Sequence, residues 1–251
     1  MTANSAKKSL RKKIIMALCT LVGVVAISVT SVLATVAYLT SSAAVSNVFT
    51  IGDVRITMTE TKVDASGKKV AEGTQVDTNT YHLVPNTTYD KDPKITVNTG
   101  SEKCYLFVLV RNDIEAIECK SVAVDYQHNH KGTIAEQLTE NGWAKYTKAS
   151  TGWVYVYVGE NVDLDVGEEA GRANNYVLED TTGNVGLAVS EGTYMLFEEF
   201  TLDPNATVSS YGAAKITLTA VGIQKSGFAN LAQAWSAVVA TYPYIHTGSA
   251  N

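Results

Sequence analysis

The chain has 251 residues, 45% hydrophobic and 18% charged, with 20 Lys and Arg against 25 Asp and Glu and a formal net charge of −5. That balance disfavours nucleic-acid binding, which needs clustered cations to neutralise phosphates. No repeat or low-complexity linker divides the chain, and its length fits one large all-β domain behind a leader.

Residues 1–37 differ from the rest. Lys7, Lys8, Arg11, Lys12 and Lys13 form a basic cluster, and Ile14 to Ala37 carries no charge. This order predicts a signal peptide, a positive n-region held inside and an apolar h-region entering the bilayer. Thr35-Val36-Ala37 supplies the small residues a signal peptidase needs, with the cut between Ala37 and Tyr38. An uncleaved anchor competes with this reading, since the run makes roughly 34 Å of helix, enough to span a hydrocarbon core. Thr20, Gly23, Ser28, Thr30 and Ser31 dilute the run and favour cleavage. Both readings place the protein outside the cytoplasm, secreted or at the cell surface, with the signal segment its only contact with the membrane. Loss of the five leader cations leaves fifteen basic against twenty-five acidic residues, a formal charge of −10. Such a charge favours solubility and makes association sensitive to salt and acid.

Residues 38–50 read as a small, polar arm and 51–251 as the domain. Period-two alternation marks strands: Val54, Ile56 and Met58 inward against Arg55, Thr57 and Thr59; Ile95 and Val97 against Lys94, Thr96 and Asn98. Cys104 to Val110 is apolar on both faces and reads as a central strand. Val154, Val156 and Val158 interleave with aromatics, and Ile216, Leu218 and Ala220 alternate with Lys215, Thr217 and Thr219. Between Tyr194 and Leu202 the phase breaks at Glu198-Glu199. A bulge or corner bend would restore it, or the two halves belong to different sheets. A short helical turn is expected near Gln137–Asn141. Phe228, Leu231, Ala232, Trp235, Val238 and Val239 form one helical stripe, suited to covering a sheet end or edge. These elements predict an antiparallel β-sandwich of jelly-roll or Greek-key type with one C-terminal helix.

Several blocks together resemble the TasA/camelysin family. Ala34-Thr35-Val36-Ala37-Tyr38-Leu39-Thr40 is followed by Val48-Phe49-Thr50-Ile51-Gly52-Asp53-Val54-Arg55-Ile56. Further on, Leu83-Val84-Pro85-Asn86 leads through Lys91-Asp92-Pro93-Lys94 to Ile95-Thr96-Val97-Asn98-Thr99-Gly100-Ser101, with Asn86 where the family usually has Gly. The resemblance implies export through a SipW-type signal peptidase, a jelly-roll sandwich, and a structural role in fibres of the extracellular biofilm matrix. Partners are then other copies of the chain and accessory matrix proteins. It also implies assembly by strand addition, with Tyr38, Leu39, Val45, Val48 and Phe49 in the donor arm. On residues alone, the arm reads equally as a Ser/Ala-rich spacer.

The alternatives are a membrane-anchored surface binding or adhesin module, and a camelysin-like metalloprotease. The His-Glu-x-x-His zinc signature is absent. His128 and His130 would share one side of an extended segment as a weak ligand pair, and Asp163 and Asp165, with Glu168 and Glu169, make an acidic turn with calcium-type oxygen ligands. A polar loop and a solvated turn explain both, so no cofactor and no catalytic residue is assigned. Cys104 and Cys119 remain beyond the leader. They form a disulfide in an oxidising exterior or serve as two small buried hydrophobes; a tight hairpin would place Cys104 opposite a residue nearer position 124.

Overall fold

The computed structural model describes residues 40–70, 73–120, 130–159, 186–243 and 245, with the main chain alone over 40–47. Among these residues run twelve strands: β1 (Thr40–Ile51), β2 (Ile56–Thr61), β3 (Gln75–Val76), β4 (Thr78–His82), β5 (Thr88–Asp90), β6 (Lys94–Val97), β7 (Cys104–Asn112), β8 (Trp143–Ala149), β9 (Gly152–Tyr157), β10 (Gly192–Met195), β11 (Glu199–Thr201) and β12 (Ile216–Gln224). Two α-helices accompany them, α1 (Ile134–Glu140) and α2 (Leu231–Thr241).

The fold is an all-β sandwich. A six-stranded sheet ordered β4-β1-β12-β7-β9-β8 faces a four-stranded sheet, β10-β6-β2-β3, and β11 and β5 form a separate two-stranded sheet. Neighbouring strands are antiparallel except β1, which runs parallel to β12. The central strands are apolar on both faces because each face meets a core. In β7, Cys104, Leu106, Val108 and Val110 point between the sheets, while Tyr105, Phe107 and Leu109 point outward beneath α2. β9 divides the same way, with Tyr155 and Tyr157 inside and Val154 and Val156 outside. β12 needs a glycine on its inner face. A Cβ on Gly222 would lie 2.9 Å from Val54 and 3.3 Å from Ile56, so close sheet packing excludes a side chain there.

Helix α2 therefore covers a sheet face, not an end or an edge, because the outer apolar row of β7, β9 and β12 would otherwise meet water. Leu231, Ala234 and Val238 are its buried residues, with Phe228 and Trp235 packed alongside; Ala232 is exposed. Asn230 caps its start, accepting from Gln233 N. α1 begins at a capping box, in which Thr133 and Glu136 satisfy each other's backbone N–H groups. Asn86 has φ of +57°, the left-handed geometry that Asn tolerates where Gly is usual.

The phase break after Tyr194 is a change of sheet. β10 pairs with β6 and β11 with β5. Between them Leu196 and Phe197 are both buried, so consecutive residues serve the core while the chain crosses.

Candidate functional site

The N-terminal strand occupies a slot between β4 and β12. Its first half ladders with β4, from Thr40 opposite His82 to Ala44 opposite Thr78. Its second half ladders with β12, pairing Val45 with Leu218, Val48 with Ala220, Phe49 with Val221 and Ile51 with Ile223, with an irregularity between Val45 and Val48. Val48 packs on the inter-sheet core, and Phe49 and Ile51 on the outer core. Phe49 meets Tyr242 at 4.8 Å between centroids, and the Tyr242 hydroxyl donates to Thr50 O at 3.0 Å. The strand ends at Gly52, whose φ of +83° starts the turn into Val54. The arm is thus paired with its own sheets, and β4 enters the large sheet through β1. Tyr38 and Leu39, like Ala37 and the residues before it, lie outside the described residues.

No disulfide joins Cys104 and Cys119. The chain does not fold back along β7. That strand carries Cys104 at one end and Asn112 about 27 Å away at the other. Past it, Glu118 bonds to Asn112 at 3.2 Å and Cys119 N donates to Thr201 O. Cys104 faces Gln224 and bridges Val189 instead, and burial pushes its thiol up to about 11.

Cys119 Sγ lies 3.4 Å from His130 Nε2. The tautomer decides what this pair can do. His130 Nδ1 accepts from Gly132 N at 3.1 Å, which places the ring proton on Nε2, facing sulfur. The imidazole then donates to the cysteine and has no lone pair free to take its proton, as a Cys–His nucleophile requires. His128, Asp163 and Asp165 lie outside the described residues, and among those described no group of three His, Cys, Asp or Glu side chains converges as metal ligands. No helix among them is long and apolar enough to cross a membrane.

Two buried charged sets escaped the sequence reading. Glu118 is enclosed beside Asn112, with Oε2 unpartnered, and burial pushes its carboxyl up to about 8. Near it, a cavity of about 90 Å³ is lined by Asn112, Glu115, Ile134, Trp153 and Tyr155. The second set joins Lys91 to Glu60, both fully buried. The one hint in the sequence is that Lys91 falls within the block that carries the family resemblance.

Comparison with protein-family models, with curated proteins and with solved structures returns no match to this chain.

Proposed function

We propose that the chain is an exported structural subunit of an extracellular fibre, of the TasA/camelysin kind, and that copies join by passing β1 of one into the β4–β12 slot of the next. The single observation that carries this reading is the place of β1. It is the first strand of the described residues, it joins the rest of the chain through a turn at Gly52, and it is the strand that links β4 to β12. Its withdrawal opens the edge of β12 over Thr217–Ile223, a row of backbone donors and acceptors that a second copy of the same strand satisfies equally well. The exchange is head to tail, so it does not close on itself and grows a filament. Before cleavage the leader tethers the arm to the membrane; a SipW-type peptidase cutting between Ala37 and Tyr38 frees it. Accessory matrix proteins that carry a matching strand would enter the same slot.

The seating of β1 in its own domain favours a second reading, a monomeric surface module anchored through residues 1–37. Two measurements separate them. A chain beginning after Ile51 should capture a synthetic peptide of residues 38–51 and lose the ability to form filaments under the electron microscope. Filaments unchanged by deletion of residues 38–47 rule out the arm. Met1 as the first residue of surface material would support the anchored module, and Tyr38 the fibre.

A further inference from the structure

The two ladders of β1 lie on opposite edges of the strand and hardly overlap. Thr40 to Ala44 pair with β4, Ala44 to Ile51 pair with β12, and Ala44 alone belongs to both. The register breaks just past it, between Val45 and Val48. Each half therefore holds one neighbour through one row of backbone hydrogen bonds, and one half can open while the other stays. The half on β12 is also held by side chains. Val48 packs between the sheets, Phe49 and Ile51 pack on the outer core, and Tyr242 donates to Thr50 O. Thr40–Ala44 lies farther from the turn at Gly52 and reads Thr-Ser-Ser-Ala-Ala. A terminal strand opens from its end, so β4 is uncovered first.

β4 is anchored independently of β1. Its ladder is with β1, yet its inward side chains are tied elsewhere. Asn79 is buried, and its Oδ1 accepts from Val63 N at 2.9 Å while its Nδ2 donates to Thr61 O at 2.8 Å. The Tyr81 hydroxyl donates to Asp90 O at 2.9 Å, and its ring stands edge-on to Phe200 at 5.1 Å. At the end of the strand, His82 O accepts from the Tyr89 hydroxyl at 2.6 Å, and that hydroxyl accepts from Val84 N at 2.7 Å. None of these partners belongs to β1. A vacated β4 is thus a short, fixed edge with open backbone groups, which a second extended strand can take.

We propose that β4 is the entry site for a second copy of this chain: the incoming Thr40–Ala44 pairs with β4 first, and its Val45–Ile51 then displaces the resident strand from β12. This rests on the strand-exchange reading above and supplies its order. The occupant is a second copy because the edge already matches this chain's own register, from Thr40 opposite His82 to Ala44 opposite Thr78. During the exchange the newcomer is held by β4 and the resident by β12. The core sites of Val48, Phe49 and Ile51 then pass from one strand to the other without standing open to water.

The test mixes the chain from Tyr38 to Asn251 with labelled synthetic peptides and follows association by fluorescence anisotropy. A peptide of residues 38–51 should associate about tenfold faster, or more, than one of residues 45–51, since it alone can ladder with β4. Methylating the backbone nitrogens of residues 40–44 removes the ladder donors of the long peptide and should bring its rate down to that of the short one. Asn79→Ala, which loosens β4, should slow the long peptide and leave the short one unchanged. The peptide comparison on the wild-type chain decides the matter even if that variant folds poorly. Equal rates for the long, methylated and short peptides overturn entry at β4 and leave strand exchange standing. Uptake of none of them overturns both.

Discussion

The Tyr242 ring packs 4.8 Å from Phe49, and its hydroxyl donates to the Thr50 carbonyl. The residue that caps the C-terminal helix thereby holds the N-terminal strand in its slot. Tyr242→Phe removes the hydrogen bond alone and should cost about 1 kcal/mol. Tyr242→Ala removes the ring as well, about 2–3 kcal/mol for a partly exposed aromatic. Amide hydrogen exchange reads the effect locally. Exchange in the Ala variant should accelerate over Val48–Ile51 and the facing residues of β12 before it does so in β7. Uniform acceleration would mean that Tyr242 stabilises the domain as a whole and not the strand.

Trp143 bridges the two sheets. It is fully buried in β8, and its indole Nε1 donates to Met195 O, at the end of β10, at 2.7 Å. Trp143→Ala should lower stability by about 3–5 kcal/mol. Trp143→Phe keeps most of the packing but strands the Met195 carbonyl, costing about 1–3 kcal/mol. Thermal unfolding followed by circular dichroism orders the two variants.

Gln137 stitches the crossing between sheets. Its Oε1 accepts from Glu198 N at 3.0 Å and its Nε2 donates to Glu199 O at 2.9 Å and to Gly132 O at 3.1 Å. Gln137→Leu keeps the volume and leaves those backbone groups unpaired in a buried place, at about 1–3 kcal/mol for each one left without water. A chemical-denaturation midpoint equal to wild type would show that water replaces the amide.

Glu118 gives stability a defined pH dependence. Its folded pKa, about 8, lies above the ordinary 4.5, so between these values the folded chain holds a proton that the unfolded chain has lost. That contribution is complete below about pH 4.5, declines as pH rises toward 8, and is level above it. Glu118→Gln removes the slope. The variant should gain on wild type across this window, by an amount on the order of a few kcal/mol at its upper end. A constant difference from pH 5 to 8 would refute the assignment.

Association should respond to both acid and salt. At a formal charge of −10 for the chain from Tyr38, subunits repel, and acid or added salt should promote assembly. Light scattering across ionic strength at fixed pH measures this directly. A decrease with salt would point to attractive ion pairs at the contact.

Much of the sandwich was legible because alternation is a local signal. Val54, Ile56, Met58, Ile95, Val97, Ile216 and Leu218 all face the inter-sheet core, as period-two burial requires. The two-sided apolar run of β7 announced a central strand for the same reason. What the pattern could not carry was partnership. Nothing in Thr40–Ile51 says that its second half runs parallel to β12, and the break at Glu198-Glu199 does not say which sheets its halves join. The helical stripe was misplaced by part of a turn, toward Ala232 instead of Ala234, because small residues lie on both sides of it. Lys91 stayed hidden among ordinary surface lysines, since burial of a cation depends on what surrounds it in space. The arm was expected to be given to a neighbouring copy, and its pairing with β4 and β12 of the same chain was not foreseen.

The parallel pairing of Ala44 with Thr217 sets an order of events. A chain threaded outward from its N-terminus exposes β1 first, yet the edge that receives it is made more than 170 residues later, and such distant closure is slow. Until then β4, which pairs with Thr40–Ala44, is the partner within reach of the strand. On the proposed fibre reading, chains leaving one export site side by side would each offer the second half of β1 while an older neighbour's β12 edge is already finished, and crowding there would set which edge it meets first.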